Sequence, residues 1–394
     1  MSTVHRIGIF DPAFIKQGHF DAYNRYIAQL LDNPAYQVIF LDLHGDMQEL
    51  YERTLTLGRA PEFCRLIPDN RPARYERFGM RINAILRRLA KWKTAYRVIA
   101  EQDLDLVLIT SESYDPFMYL FRPRFTYGLF VLNARLHIYR PIGKQSFKNK
   151  MLFGFYARKY KNLAKGAAFL ISGSEPSMLP ELEMKLGLGK LPWLPNLPIG
   201  HVTPNEGPFE YDIITIGTIS RTKSHLLALE AFEERSLPWK YLVAGLPRDS
   251  VGRTVEEKTH QLEKKEGLAV SGNFGYIGEI EYTRLMRSAR FSLFPYDFTR
   301  GNISSQVMHD GFQQGLPIIA PSIEPFVWYV EKYGIGLIYK EGDKESLART
   351  LEEAMRRGPE SFREGFKRLE KDHSIERIQK DFLAILDTAL AKLS

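Results

Sequence analysis

The feature that most constrains this chain is a break near its middle. From Pro192 to Glu210 the sequence reads PWLPNLPIGHVTPNEGPFE, with five prolines (192, 195, 198, 204, 208) and two glycines (200, 207). Proline fixes φ and removes a backbone donor, so no helix or central strand runs through such a segment. On either side, short apolar runs alternate with helical stretches, the pattern of a parallel sheet with crossover helices. At 394 residues the chain is also longer than one ordinary core supports. The sequence therefore predicts two α/β domains: residues 1–195, a hinge at 196–210, a second domain at 211–374, and a closing helix at 375–394. In such a pair a ligand cleft is expected between the domains, at the carboxyl ends of the strands.

In the first half, strands are expected at 6–10, 36–43, 104–110, 127–132 and 167–172, with helices over 21–31 and 74–100. In the second, strands are expected at 212–217, 239–244, 291–295 and 317–320. Helices there are expected over 225–234, 282–288, 304–314, 344–357 and 375–393.

Composition narrows the class. With 44% hydrophobic and 26% charged residues, the chain is globular rather than disordered. A single cysteine, Cys64, excludes an intramolecular disulfide and a zinc site built on several thiolates. No run approaches the ~20 apolar residues of a membrane-spanning helix. The apolar run Ile7–Phe10 is too short for the core of a secretory signal, so a cytoplasmic protein is expected.

The net charge of +7 is uneven: residues 1–205 hold 28 Lys and Arg against 18 Asp and Glu, whereas residues 206–394 hold 26 against 29. The first half is therefore the part expected to meet an anionic surface. Two clusters stand out. Between Arg71 and Arg97, nine Lys or Arg residues accompany apolar residues 78, 82, 85, 89, 92 and 96 at helical spacing. Between Lys144 and Lys165, seven Lys or Arg are interleaved with Phe147, Phe153, Phe155, Tyr156 and Tyr160. One reading is docking on an anionic bilayer, with aromatics entering the interface. The other is a core-facing helix with a solvated outer face. Nucleic acid ranks below a membrane as the anionic partner, because no recognisable nucleic-acid module is present.

Two motifs in the second half carry chemistry. After the apolar run IITI come Gly217, Thr218, Arg221, Lys223 and a helix. A strand, a glycine turn and basic residues before a helix form a phosphate-contacting arrangement. It lacks the spacing of a Walker loop or a dinucleotide fingerprint, and a plain βα loop with solvated cations reads the same way. The second motif is PYDFTRGNISSQVMHDGFQQGLPIIAPS, residues 295–322. It reads as a turn, a helix with Ser304 or Ser305 at its N-cap, and an apolar strand. The amides left without an intrahelical partner at that N-terminus suit phosphate. Asp310 sits on the same helix, either as a ligand group or as a solvated surface residue.

In this order these segments resemble the GT-B-fold, family-4 retaining glycosyltransferases, which transfer a sugar from a nucleotide diphosphate. YDIITIGTISRTKSHLLALEAF resembles the opening strand, glycine loop, lysine and helix of the donor-binding half. WKYLVAGLP, NFGYIGEIEYTRLMRSARFSLFPY, GNISSQVMHDGFQQGLPIIA and KDHSIERIQKDFLAIL resemble its following elements in sequence. In the first half, QGHF (17–20), ISGSE (171–175) and PN (195–196) stand where that family has its Gly-Gly loop, Ser-Glu and Pro-Asn elements. The resemblance implies two Rossmann-like α/β domains facing each other across a cleft, with the closing helix crossing back to the first.

It also implies roles. Lys223 matches the lysine on the donor diphosphate. Thr218 stands where the family has an arginine, leaving Arg221 to supply the second cation. Asp310 matches the carboxylate that binds the ribose, since it can accept from two adjacent hydroxyls. Asn302 replaces the family's first glutamate, which removes a charge and keeps a group that can orient the donor sugar. The backbone of Ile303, Ser304 and Ser305 would bind the diphosphate, and Tyr276 and Ile277 would flank the base. Gly217 and Gly18 would let the backbone approach the donor. His137 and His19 are candidates for acceptor or sugar contacts, with Asp21 and Asp115 as further acidic candidates.

The expected enzyme is a glycosyltransferase, retaining and metal-independent, with no permanent cofactor. It would act at the inner face of a membrane on a glycan or lipid-linked acceptor. The rival expectations are a sugar-nucleotide epimerase, a non-catalytic nucleotide- or partner-binding protein of the same fold, and a DNA-modifying glycosyltransferase.

Overall fold

Central strands of a parallel sheet are covered on both faces, so they must be apolar along their whole length. This chain supplies two sets of such strands. A computed structural model describes residues 4–393 except 13–18, 44, 46, 68–79, 112–115, 132–146, 174–175, 188, 196–198, 204–205, 222 and 298–304. The chain divides into two units, Met1–Pro198 with Ile375–Ser394, and Ile199–Ser374.

The first unit contains β1 (His5–Phe10), β2 (Tyr36–Asp42), β3 (Glu62–Arg65), β4 (Leu106–Ile109), β5 (Tyr127–Val131) and β6 (Phe169–Ser172). They form a parallel sheet in the order β3-β2-β1-β4-β5-β6. Its helices are α1 (His19–Leu30), α2 (Met47–Thr54), α3 (Met80–Ala100), α4 (Phe147–Gly166) and α5 (Leu179–Leu186). One core joins Trp92, Tyr96 and Ile99 of α3 to Tyr160 and Leu163 of α4 and to Val107 and Ile109 of β4. A second core gathers Tyr23, Tyr26 and Ile27 of α1 against Phe40, Leu108 and Phe130.

The second unit contains β7 (Tyr211–Ile216), β8 (Tyr241–Gly245), β9 (Val270–Phe274), β10 (Ala289–Leu293), β11 (Ile318–Pro321) and β12 (Gly336–Tyr339). They too are parallel, in the order β12-β11-β10-β7-β8-β9. Its helices are α6 (His225–Arg235), α7 (Ser250–Glu263), α8 (Glu279–Arg287), α9 (Gln306–Gln313), α10 (Phe326–Tyr333), α11 (Lys344–Arg357) and α12 (Arg363–Asp372). Its core includes Ile199 and Val202, so two residues of the Pro-rich stretch are packed into this unit. The last helix, α13 (Ile375–Ala391), belongs to the first unit. Its Ile378, Phe382, Leu386 and Leu390 recur every four residues and are buried in the α1 core. Each such side chain contributes about 1.5–3 kcal/mol on burial.

The structure changes the reading of both aromatic–basic clusters. Trp92, Tyr96 and Tyr160 are core residues and cannot enter a bilayer. On the same helices Ile85 and Phe155 are exposed, at 44% and 47%. Three strands lie outside the expected set: β3, β9 and β12. The first two run Glu-Phe-Cys-Arg and Val-Ser-Gly-Asn-Phe at the sheet edges. Edge strands are shielded on fewer sides, so the continuous apolar signal is missing.

Candidate active site

In an open parallel sheet, ligands bind at the carboxyl ends of the strands, where the strand order reverses direction. In the second unit that point lies between β7 and β10: the chain runs β7-β8-β9 outward one way and β10-β11-β12 the other. The loops leaving β7 and β10 therefore meet there.

The first loop is fixed by backbone. Gly217 follows β7 at φ +114°, and its N–H donates to Ala244 O at 3.0 Å. Gly245, at φ +141°, lies so close that a Cβ there would be 1.7 Å from Gly217 O. Ile219 N–H donates to Leu246 O at 3.0 Å, and Arg248 N–H donates to Ile219 O at 3.0 Å. Asp249 clamps the far side. It accepts from Arg221 N–H at 2.9 Å and caps α7 by accepting from Gly252 N–H at 2.8 Å. These backbone donors, with the charge of Arg221, hold the Asp249 carboxyl below its usual range.

The rigid loop returns Lys223 toward its own start. A Cβ on Gly217 would lie 3.3 Å from Lys223 Nζ and 3.2 Å from Val307 in the first turn of α9. The ammonium stands 5.3 Å from the centre of the Tyr296 ring, a cation–π distance. Tyr296 follows β10, and its hydroxyl is bonded to Ser305 Oγ at 3.2 Å. Ser305 is the N-cap of α9, and its side chain makes no cap bond to the helix amides. Ser224 Oγ donates to Asp297 at 2.8 Å, tying the two loops again. Among the described residues no carboxylate pairs with the Lys223 ammonium. An unpaired cation beside uncapped helix amides is complementary to an oxyanion.

Behind this cation, His225 is fully buried at the start of α6. Burial first, then the charge of Lys223, pushes its pKa down to about 3. It is neutral near pH 7 and adds no charge to the site.

One turn into α9, Asp310 accepts from Tyr282 Oη at 2.9 Å and from Gln306 Nε2 at 2.8 Å, one partner on each oxygen. Each carboxylate oxygen retains a lone pair for a further donor. Burial, together with the Asp310 charge, raises the Tyr282 pKa far above its ordinary value, so the phenol stays a donor. Ile277 packs with Val307 and Tyr282 around a small apolar cluster, while Tyr276 is 89% exposed.

The structure thus brings Gly217, Lys223, Ser305, Asp310 and Ile277 to one end of one sheet. Thr218 is half-buried in the same loop. Arg221 is exposed and set against Asp249. Gly18, Asp115, His137, Asn302, Ile303 and Ser304 lie outside the described residues, as do the side chains of His19 and Asp21. Sequence reasoning missed Tyr296 and Gln306 within the second motif, and Tyr282 and Asp249 outside both motifs, as supports of the site. It also missed a buried network at the corresponding reversal in the first unit, between β1 and β4. There Asp11 accepts from Asn24 Nδ2 at 2.7 Å and from Ser111 Oγ, and Thr110 Oγ1 donates to Asn24 Oδ1 at 2.8 Å.

No protein-family model matches the chain, and no curated protein matches it. Solved structures do. A glycosyltransferase from Rickettsia africae aligns with TM-score 0.66 at 12% identity, covering 99% of both chains. HepE from Anabaena, solved in complex with UDP, aligns with TM-score 0.67 at 14% identity, over 98% of this chain and 100% of that one. A sucrose-phosphate synthase from Thermosynechococcus elongatus aligns with TM-score 0.64 at 14% identity, with the same coverage. At these identities the likeness is one of fold: two Rossmann-like α/β units, the GT-B fold.

Proposed function

We propose that this protein is a glycosyltransferase that moves a sugar from a nucleotide diphosphate sugar to an acceptor hydroxyl. The observation that carries this reading is the placement of the Lys223 ammonium against Gly217 and the first turn of α9, at the reversal of the second sheet. HepE, of the same fold, is solved with UDP, which favours uridine as the base.

In this reading the bond from the anomeric carbon to the diphosphate oxygen breaks, and the acceptor oxygen takes its place. The acceptor proton leaves with the released diphosphate, and the anomeric configuration is retained. Lys223 and the amides at the start of α9 stabilise the charge that grows on the leaving diphosphate. Asp310 binds the ribose, and Ile277 and Tyr276 border the base. Arg221, Asn302 and His137 remain proposed partners of the phosphates, the donor sugar and the acceptor, and the resemblance to family-4 enzymes supports them and the retaining outcome. The acceptor is proposed to be a lipid-linked or surface glycan. The support is the basic excess of the first unit and the exposed Ile85 and Phe155 on its basic helices, which also favour a cytoplasmic protein peripheral to a membrane.

The test is release of the nucleoside diphosphate from a UDP-sugar panel, with and without lipid-linked and oligosaccharide acceptors. Acceptor-dependent release is expected, falling about 100-fold or more in Lys223→Ala, the scale of losing one preorganised charge-stabilising group. Equal turnover in the variant would sink the assignment. Binding of the donor with no transfer to any acceptor would point to a non-catalytic binding protein.

A further inference from the structure

The first unit contains an open cavity of about 890 Å³ far along the chain from the donor loops. It lies at the amino ends of β5 and β6, the opposite end of the strands from where a Rossmann-type site forms. Its walls are the segment 119–127 that leads into β5 and the last turns of α4. The size falls within the ~300–1,000 Å³ of small-molecule sites.

The lining is chemically one-sided. Arg122, Arg124, Lys159 and Lys165 line it, and no Asp or Glu does among the described residues. No described carboxylate forms an ion pair with any of the four. In the second unit, by contrast, several surface cations are held by carboxylates. Arg284 meets Glu210 and Glu281, Lys344 meets Glu230 and Glu234, and Lys258 and Lys265 share Glu233.

The cavity wall behind the cations is fixed. Tyr127 Oη donates to Leu163 O at 2.7 Å and lies where a Cβ on Gly166 would be only 2.7 Å from it. The Lys159 ammonium sits over the Phe155 ring at 5.5 Å. Pro123 separates the two arginines and restricts the backbone between them. Four like charges in one concavity repel one another, and an anion removes that repulsion. Two guanidinium forks suit phosphate oxygens, which they engage in bidentate fashion. The half-apolar rim, with Phe121, Phe125 and Leu393, suits a ligand that is more than a bare ion.

We propose that this cavity is a second anion site, built from Arg122, Arg124, Lys159 and Lys165, that takes a diphosphate or a phosphorylated headgroup. The inference does not depend on sugar transfer, and it is tested in a Lys223→Ala background, where the proposed donor site no longer competes for phosphate. Inorganic pyrophosphate is titrated into the full chain and followed by thermal shift. In parallel, co-sedimentation is measured with phosphatidylglycerol and with phosphatidylcholine vesicles.

Pyrophosphate is expected to raise the Tm saturably. Arg122→Ala/Arg124→Ala/Lys165→Ala is expected to weaken that binding about tenfold or more, and Asn162→Glu, which sets a carboxylate on the same wall, to weaken it as well. The three replaced side chains are exposed, so the unliganded Tm should hold or rise. If it falls, Asn162→Glu becomes the deciding variant.

Loss of pyrophosphate binding alone assigns a soluble diphosphate. Loss of phosphatidylglycerol binding, with or without loss of pyrophosphate binding, assigns a headgroup phosphate. Both support the site. Pyrophosphate and vesicle binding that are unchanged in both variants overturn it.

Discussion

The ligand role proposed for Lys223 rests on the residues that surround it. Gly245 has no side chain where Gly217 O passes, Asp249 clamps the loop, and Tyr296 faces the ammonium. Gly245→Ala should therefore destabilise the second unit by about 2–4 kcal/mol, from overpacking together with a strained positive φ. Urea unfolding measures this, and a variant as stable as wild type would show that the two loops are not in register as described. Tyr296 separates two effects. Tyr296→Phe keeps the ring over Lys223 and loses the bond to Ser305, about 1 kcal/mol of support. Tyr296→Leu also loses the cation–π term, about 0.5–1 kcal/mol more at a partly exposed site. Donor affinity should fall in that order, and equal affinities in both variants would remove Tyr296 from the site. The positions of Lys223 and Asp310 beside the loop and on the helix were legible in the sequence because each sits in a recognisable local frame. Tyr296 and Tyr282 were not, because Tyr296 meets Lys223 from the other side of the sheet reversal and Tyr282 meets Asp310 28 residues away, and no local pattern encodes such pairings.

At the scale of elements, α9 would present two different surfaces to the proposed donor. Its first turn faces Lys223, and Asp310 lies one turn further on, braced by Gln306 and Tyr282. This division predicts a split response. Asp310→Asn should weaken UDP binding severalfold and leave pyrophosphate binding at the donor site unchanged, whereas Lys223→Ala weakens both. Calorimetry with the two ligands checks it, and an equal loss of both in Asp310→Asn would mean that Asp310 acts through the helix rather than on the nucleoside. The strands that frame the site were readable as apolar runs, because β7, β8 and β10 are covered on both faces. The edge strand β12, Gly-Leu-Ile-Tyr, was missed. It is four residues long, and a Cβ on its first glycine would lie 2.2 Å from Ile318 O. Close backbone approach leaves no room for a side chain there, and the three apolar residues that remain are too short a run to stand out.

For the whole molecule, each of the two units has its own sheet and core. The second carries a pH liability. His225 and His373 are buried, and burial chiefly pushes both pKa values down to about 3 from the ordinary 6.5. The unfolded chain takes up these protons below pH ~6.5 and the folded unit does not, so stability falls as pH drops from there toward ~3. The slope is at most about 1.4 kcal/mol per pH unit for each histidine. Urea unfolding at pH 7.5 and pH 5.0 should show this loss, and His225→Gln should make the slope shallower. A slope unaffected by that substitution would mean that His225 protonates in the folded state.

The central claim is that the second unit binds a nucleoside diphosphate through Lys223 and the start of α9. Titration of UDP into wild type and Lys223→Ala by isothermal calorimetry, with uridine as the phosphate-free control, tests it most directly. Removal of a charge-assisted contact predicts UDP affinity lower by about 10–100-fold in the variant, with uridine unchanged. UDP bound equally by both proteins would contradict the account.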